Sequence, residues 1–211
     1  MTAVNEYINR QTLVDLKKQL SANGYKSIGK GVDAIVFAKK DSPDVVKYLI
    51  GDRDRETNIA AGGFLAFAEF CKTVKSPHLP KFSEIKTIKI GNEEIYQVSM
   101  ERLHKLTEDE LDVAWTMARY AENNGTFEDV VKDIEETGSK ALPQYQDQVV
   151  RQRTIHLKIL NKNKSVFVLM QQLAKHAGSI KGLSLDLIHE TGYNIMRRRD
   201  GTWVIIDPFV L

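Results

Sequence analysis

The chain has 211 residues, of which 42% are hydrophobic and 27% charged, and its formal net charge is +2. That composition fits one globular domain or two small ones and excludes wholesale disorder, collagen-like repeats and low-complexity sequence. The small positive excess gives no ground for a nucleic-acid or membrane-surface binder, and the single Cys71 excludes an internal disulfide.

Polar residues Asn5, Glu6, Arg10, Asp15, Lys17 and Lys18 interrupt the N-terminus, so no secretory leader is expected there. No apolar run approaches the ~20 residues of a membrane span. A soluble cytoplasmic protein is therefore the expectation. Val4, Tyr7, Ile8, Leu13, Leu16 and Leu20 predict a helix over 3–21, stopped by Asn23-Gly24. Strands are predicted over 25–31, 34–39 and 45–50, the last after an Asp41-Ser42-Pro43-Asp44 turn. A helix follows over 54–74, weakened by Gly62-Gly63. Strands at 85–90 and 94–100 flank Gly91-Asn92.

Residues 106–177 read as mostly helical. Thr107 and Glu110 form a capping-box pair before a helix over 111–120, and Thr126 can cap a second over 127–136. A third runs from Pro143 through Leu160 and a fourth from Ser165 to Lys175. The tail returns to strands over 194–197 and 202–206 around Asp200-Gly201, a two-residue hairpin signal.

Several short patterns carry chemistry. Gly29-Lys30-Gly31-Val32-Asp33-Ala34-Ile35-Val36 follows a glycine-rich pattern, with Ala34 at the third glycine, that lets backbone amides approach phosphates. Lys47 sits inside a β-branched strand, where an unpaired charge is costly. On the 54–74 helix, Glu56 falls on the stripe of Ala60, Gly63, Phe67 and Phe70, whereas Glu69 points away from it. Met100-Glu101-Arg102-Leu103 ends a strand before a helical region. Finally, Asp186, His189, Asn194 and Asp207 surround a short hairpin, and their carboxylate and amide oxygens are hard ligands suited to Mg²⁺ on phosphates.

Taken in order, these pieces resemble the protein-kinase-like fold, and most closely the early serine/threonine protein kinase of short-tailed bacteriophages. Asn194-Ile195-Met196, Asp200-Gly201 and Asp207-Pro208 carry the likeness, with specificity mainly in residues 183–208. The resemblance implies an α+β kinase-like domain over 1–211. Residues 1–103 would form a small antiparallel-sheet N-lobe that includes the N-terminal helix. Residues 104–211 would form a reduced, mostly helical C-lobe, since only four residues follow Asp207.

The resemblance also implies ATP and Mg²⁺ as cofactors. Lys47 would bind phosphates, with Glu56 orienting it. Gly29, Gly31 and Ala34 would line the phosphates, and Met100 would guard the back of the pocket. The backbone of Glu101 and Leu103 would meet adenine, and Asn194 and Asp207 would hold Mg²⁺. The implied partner is a host protein, as substrate or as target, in the host cytoplasm; a homo-oligomer is compatible, nucleic acid and membrane are not expected.

One departure keeps two readings open. The kinase pattern places the catalytic Asp five residues before the metal-binding Asn. That position is His189, while Asp186 lies eight before Asn194. Either Asp186 or His189 is the base of a phosphotransferase acting on protein or small-molecule hydroxyls, or the chain is a pseudokinase that binds and inhibits a host protein.

Overall fold

The computed structural model describes residues 10–30, 34–49, 59–91, 93–138, 142–189 and 192–210. Its elements in chain order begin with α1 (Arg10–Ala22), β1 (Tyr25–Lys30), β2 (Ala34–Lys39), β3 (Asp44–Leu49), α2 (Ile59–Thr73), β4 (Phe82–Ile90) and β5 (Glu93–Glu101). Helices α3 (Glu108–Glu122), α4 (Phe127–Glu136), α5 (Gln146–Lys162) and α6 (Lys164–Ser179) follow, with a 3-10 turn at Pro143–Tyr145. Short strands complete the chain: β6 (Ser184–Leu185), β7 (Ile188–His189), β8 (Gly192–Tyr193), β9 (Ile195–Arg197), β10 (Trp203–Ile205) and β11 (Phe209–Val210). The architecture is α+β. The chain divides into two compact units, Met1–Lys75 with Leu79–Leu103 and Phe209–Leu211, and Ser76–His78 with His104–Pro208.

The first unit is built on a five-stranded antiparallel sheet in the order β1-β2-β3-β5-β4. Successive strand residues face opposite sides, and here both sides are covered. Leu16 and Leu20 of α1 pack with Ile35, Phe37, Tyr48 and Ile95 on one face. Phe64 and Ala68 of α2 pack with Ala34, Leu49 and Val98 on the other. Double coverage explains why β2 and β3 lack the apolar–polar alternation of a one-sided sheet. Phe67 and Phe70 of α2 meet the Phe209 ring edge-to-face, with centroids 6.0 and 6.3 Å apart. Gly63 is where the β11 backbone passes closest: a Cβ there would lie 2.3 Å from the Phe209 carbonyl oxygen. A glycine that weakens an isolated helix is thus required by its neighbour.

In the second unit α3 packs against α4, α5 and α6. Val113, Met117, Val130, Leu160, Val166, Met170 and Leu173 supply buried apolar surface. Both expected caps form, Thr107 with Glu110 and Thr126 with Asp129, each side chain bonding the other residue's backbone amide. The hairpin at Asp200-Gly201 differs from expectation. Trp203 pairs with Arg197, and the Thr202 carbonyl accepts from the Arg198 amide at 2.9 Å, so the loop has three residues, not two. Gly201, at φ +84°, takes the left-handed position that closes a three-residue loop.

Candidate functional site

Lys47 is the centre of the first unit. It lies on the third strand, between Val36 and Val98 of the neighbouring strands, on the face covered by α2. Its residue surface is 8% exposed, and its ammonium sits 4.4 Å from the Phe64 ring centroid. A cation laid on an aromatic face retains part of its favourable electrostatics when desolvated. Ala34 opens β2 on the same face. Gly29 stands on β1 opposite Val36, next to a register shift after Ser27. Gly31 and Glu56 lie outside the described residues. Glu69, the alternative acid on this helix, is exposed and pairs with Lys72 on the surface.

Met100 is buried on β5, paired with Val45 and Phe82. Glu101 ends that strand, its amide donating to the Lys81 carbonyl at 3.0 Å and its Oε1 accepting from the Lys81 amide at 2.9 Å. The Arg102 amide donates to the Pro43 carbonyl at 2.7 Å. The Glu101 amide is thus engaged within the first unit.

In the second unit a knot of hydrogen bonds links the segments that carry Asp186, Asn194 and Asp207. The Asn194 side-chain amide donates to the Asp186 carbonyl at 2.6 Å. The Asn194 carbonyl accepts from Ile206, immediately before Asp207, at 2.8 Å. The Asp186 amide donates to Pro208, immediately after Asp207, at 2.7 Å. The extra length between Asp186 and Asn194 is taken up by a hairpin, in which Ile188 pairs with Tyr193 and His189 with Gly192. Asp186 lies eight residues before Asn194, and this hairpin occupies the interval between them.

Glu122, to which the sequence reading gave no role, belongs here. It accepts a hydrogen bond from the Leu187 amide and lies close enough to Asp186 to feel its charge. Partial desolvation pushes its carboxyl above the ordinary glutamate range, the Leu187 bond opposes this, and Asp186 adds to it. A signal existed: an acid in the last turn of a helix opposes the helix dipole and asks for a local reason.

The Arg197-Arg198-Arg199 run is only partly solvated. Arg197 pairs with Glu110 at 3.1 Å, Arg198 donates to the Pro77 carbonyl, and Arg199 is exposed. Cys71 is half-buried, and burial pushes its thiol up to about 12. Among the described residues no group of three His, Cys, Asp or Glu forms a metal cluster, and no helix is long and apolar enough to cross a membrane. No family model matches the chain, and no curated protein matches it.

Proposed function

We propose that the chain is an ATP- and Mg²⁺-dependent phosphotransferase of the protein-kinase-like class, resembling the phage serine/threonine kinases and acting on a host protein hydroxyl. The observation that carries this reading is Lys47: a lysine enclosed on the third strand of an antiparallel sheet and followed by the helix that packs over it. That is the placement in which kinases hold the phosphate-binding lysine. The Asp186–Asn194–Asp207 knot supports it independently.

The donor set fits Mg²⁺. The Asp207 carboxylate and the Asn194 amide supply hard oxygens, and Mg²⁺ bound to a nucleotide keeps several waters and phosphate oxygens, so a dedicated all-protein cage is not required. When bound, the metal would neutralise charge on the phosphates. The chain's own part is positioning. Lys47 places a fixed cation for the phosphates, Asn194 and Asp207 offer oxygens to the metal, and Asp186 accepts the proton of the attacking hydroxyl. Asp186 is favoured over His189 because its backbone is tied directly to Asn194.

Calorimetry with ATP and Mg²⁺, followed by phosphate transfer to host-extract proteins, tests the proposal. Binding should be lost in Lys47→Met, and its Mg²⁺-dependent part in Asp207→Asn, with circular dichroism unchanged. No binding at millimolar nucleotide removes the ATP site. Binding without transfer moves the chain to the pseudokinase reading, which the His at the expected base position favours.

A further inference from the structure

One further polar constellation in the second unit has the polarity of a nucleophile with its base. His78 is 7% exposed. Its Nδ1 lies 2.9 Å from the Trp203 carbonyl oxygen, and its Nε2 lies 2.7 Å from Ser165 Oγ. A carbonyl oxygen only accepts, so Nδ1 carries the proton. In the neutral ring Nε2 then offers its lone pair, and the Ser165 hydroxyl donates to it. The imidazole is enclosed while Ser165, in the first turn of α6, is exposed. Nucleophile, base and a third group that orients the base are the parts that an activated serine needs.

The surroundings select the reagent. Arg198 donates to the Pro77 carbonyl, one residue from His78. Lys164 adjoins Ser165, with its ammonium over the Phe127 ring. The Lys162 ammonium reaches the Gly201 end of the β9–β10 loop. The acid of that loop, Asp200, turns onto the Thr202 amide. The carboxylates nearby, Asp200 and the Glu110 that holds Trp203 and Arg197, are engaged within the unit, and the three cations then favour an anionic donor over a neutral one.

We propose that Ser165 is a phosphoryl-accepting nucleophile, with His78 as its general base and the Trp203 carbonyl fixing the tautomer. Ser165 Oγ attacks the phosphorus of an activated phosphoryl donor. The Oγ–P bond forms, the bond from phosphorus to the leaving oxygen breaks with its electron pair going to the leaving group, and the hydroxyl proton passes to His78 Nε2. The product is a phosphoserine beside an imidazolium, a charge-assisted pair. The step uses neither Lys47 nor Asp207, so it stands or falls separately from the function proposed above.

Acetyl phosphate, an anionic activated phosphoryl donor whose leaving group is the acetate oxygen, probes such a serine. After reaction with the full chain, peptide mass spectrometry should find the adduct on Ser165, formed about 100-fold faster than on the other serines, and His78→Gln should remove most of that advantage. No adduct on Ser165, an adduct spread evenly over the serines, or wild-type labelling of His78→Gln overturns the proposal. Should His78→Gln fail to fold, ¹⁵N-histidine spectra of the wild-type chain decide the tautomer. A proton on Nδ1 of His78 supports the assignment, and one on Nε2 overturns it.

Discussion

The two units hold their chemistry-bearing side chains by different physics. In the first, Lys47 is fixed by packing: a regular strand hydrogen-bonded on both sides, an aromatic ring beneath the ammonium, and apolar layers on both faces of the sheet. In the second, Asp186, Asn194 and Asp207 stand on short irregular segments, and single hydrogen bonds between those segments set their spacing. Packing tolerates the loss of any one contact because many small dispersion terms act together. A knot of single hydrogen bonds fails where one group is removed, since each abandoned buried partner bears its own desolvation cost. Position is thus redundantly specified in the sheet and singly specified in the knot.

The largest test of this contrast is at Trp203. It is fully buried, its Nε1 donates to Glu110 Oε1 at 3.3 Å, and its carbonyl orients His78. Trp203→Ala should cost about 3–5 kcal/mol by denaturant titration, with the cavity and the deserted Glu110 acting together. A loss near 1 kcal/mol would show that the second unit, too, is held redundantly. The next effect belongs to the sheet unit. Gly63→Ala improves helix propensity but sets a methyl against the Phe209 backbone, which cannot swing away as a side chain would. Net destabilisation of about 1–3 kcal/mol is expected. A stabilised variant would mean that β11 yields easily.

The same contrast explains what the sequence disclosed. Lys47 was legible because a strand announces itself through β-branched neighbours, and a charge inside one is conspicuous. The start of α4 was legible because Thr126 is a local capping signal. The residues of the knot were legible as a group, but the backbone bonds that link their segments were not. The β7–β8 hairpin between Asp186 and Asn194 was not among the expected strands. Gly63 reads as a defect until β11 lies across it. Glu56, the acid chosen for Lys47, lies outside the described residues, so the choice between it and Glu69 rests on Glu69 being a surface residue.

A smaller effect isolates local from long-range support within the second unit. Thr107 caps α3 through the Glu110 amide at 3.3 Å, while Glu110 returns a bond to the Thr107 amide at 2.8 Å and also holds Arg197 and Trp203. Thr107→Ala removes only the first of these and should cost about 1 kcal/mol in thermal melts. A cost as large as that of Trp203→Ala would mean that the cap sets the orientation of Glu110, and that the local signal governs the long-range network.

The smallest expected effect is the pH response of Glu122. Its folded-state pKa is raised, first by desolvation and then by Asp186, against the Leu187 hydrogen bond. A group raised on folding contributes stability that is fully present below its unfolded pKa and is lost as pH rises through its folded pKa. The wild-type chain should therefore lose melting temperature above the ordinary glutamate range, by an amount kept small because much of the side chain still reaches water. Glu122→Gln keeps an acceptor for the Leu187 amide and removes the charge facing Asp186. Melting curves of the two proteins should coincide near pH 4 and separate toward pH 8, with Glu122→Gln the higher. Curves that stay parallel would show that the Glu122 charge does not act on the knot, and that the Leu187 bond alone accounts for a glutamate at the end of α3.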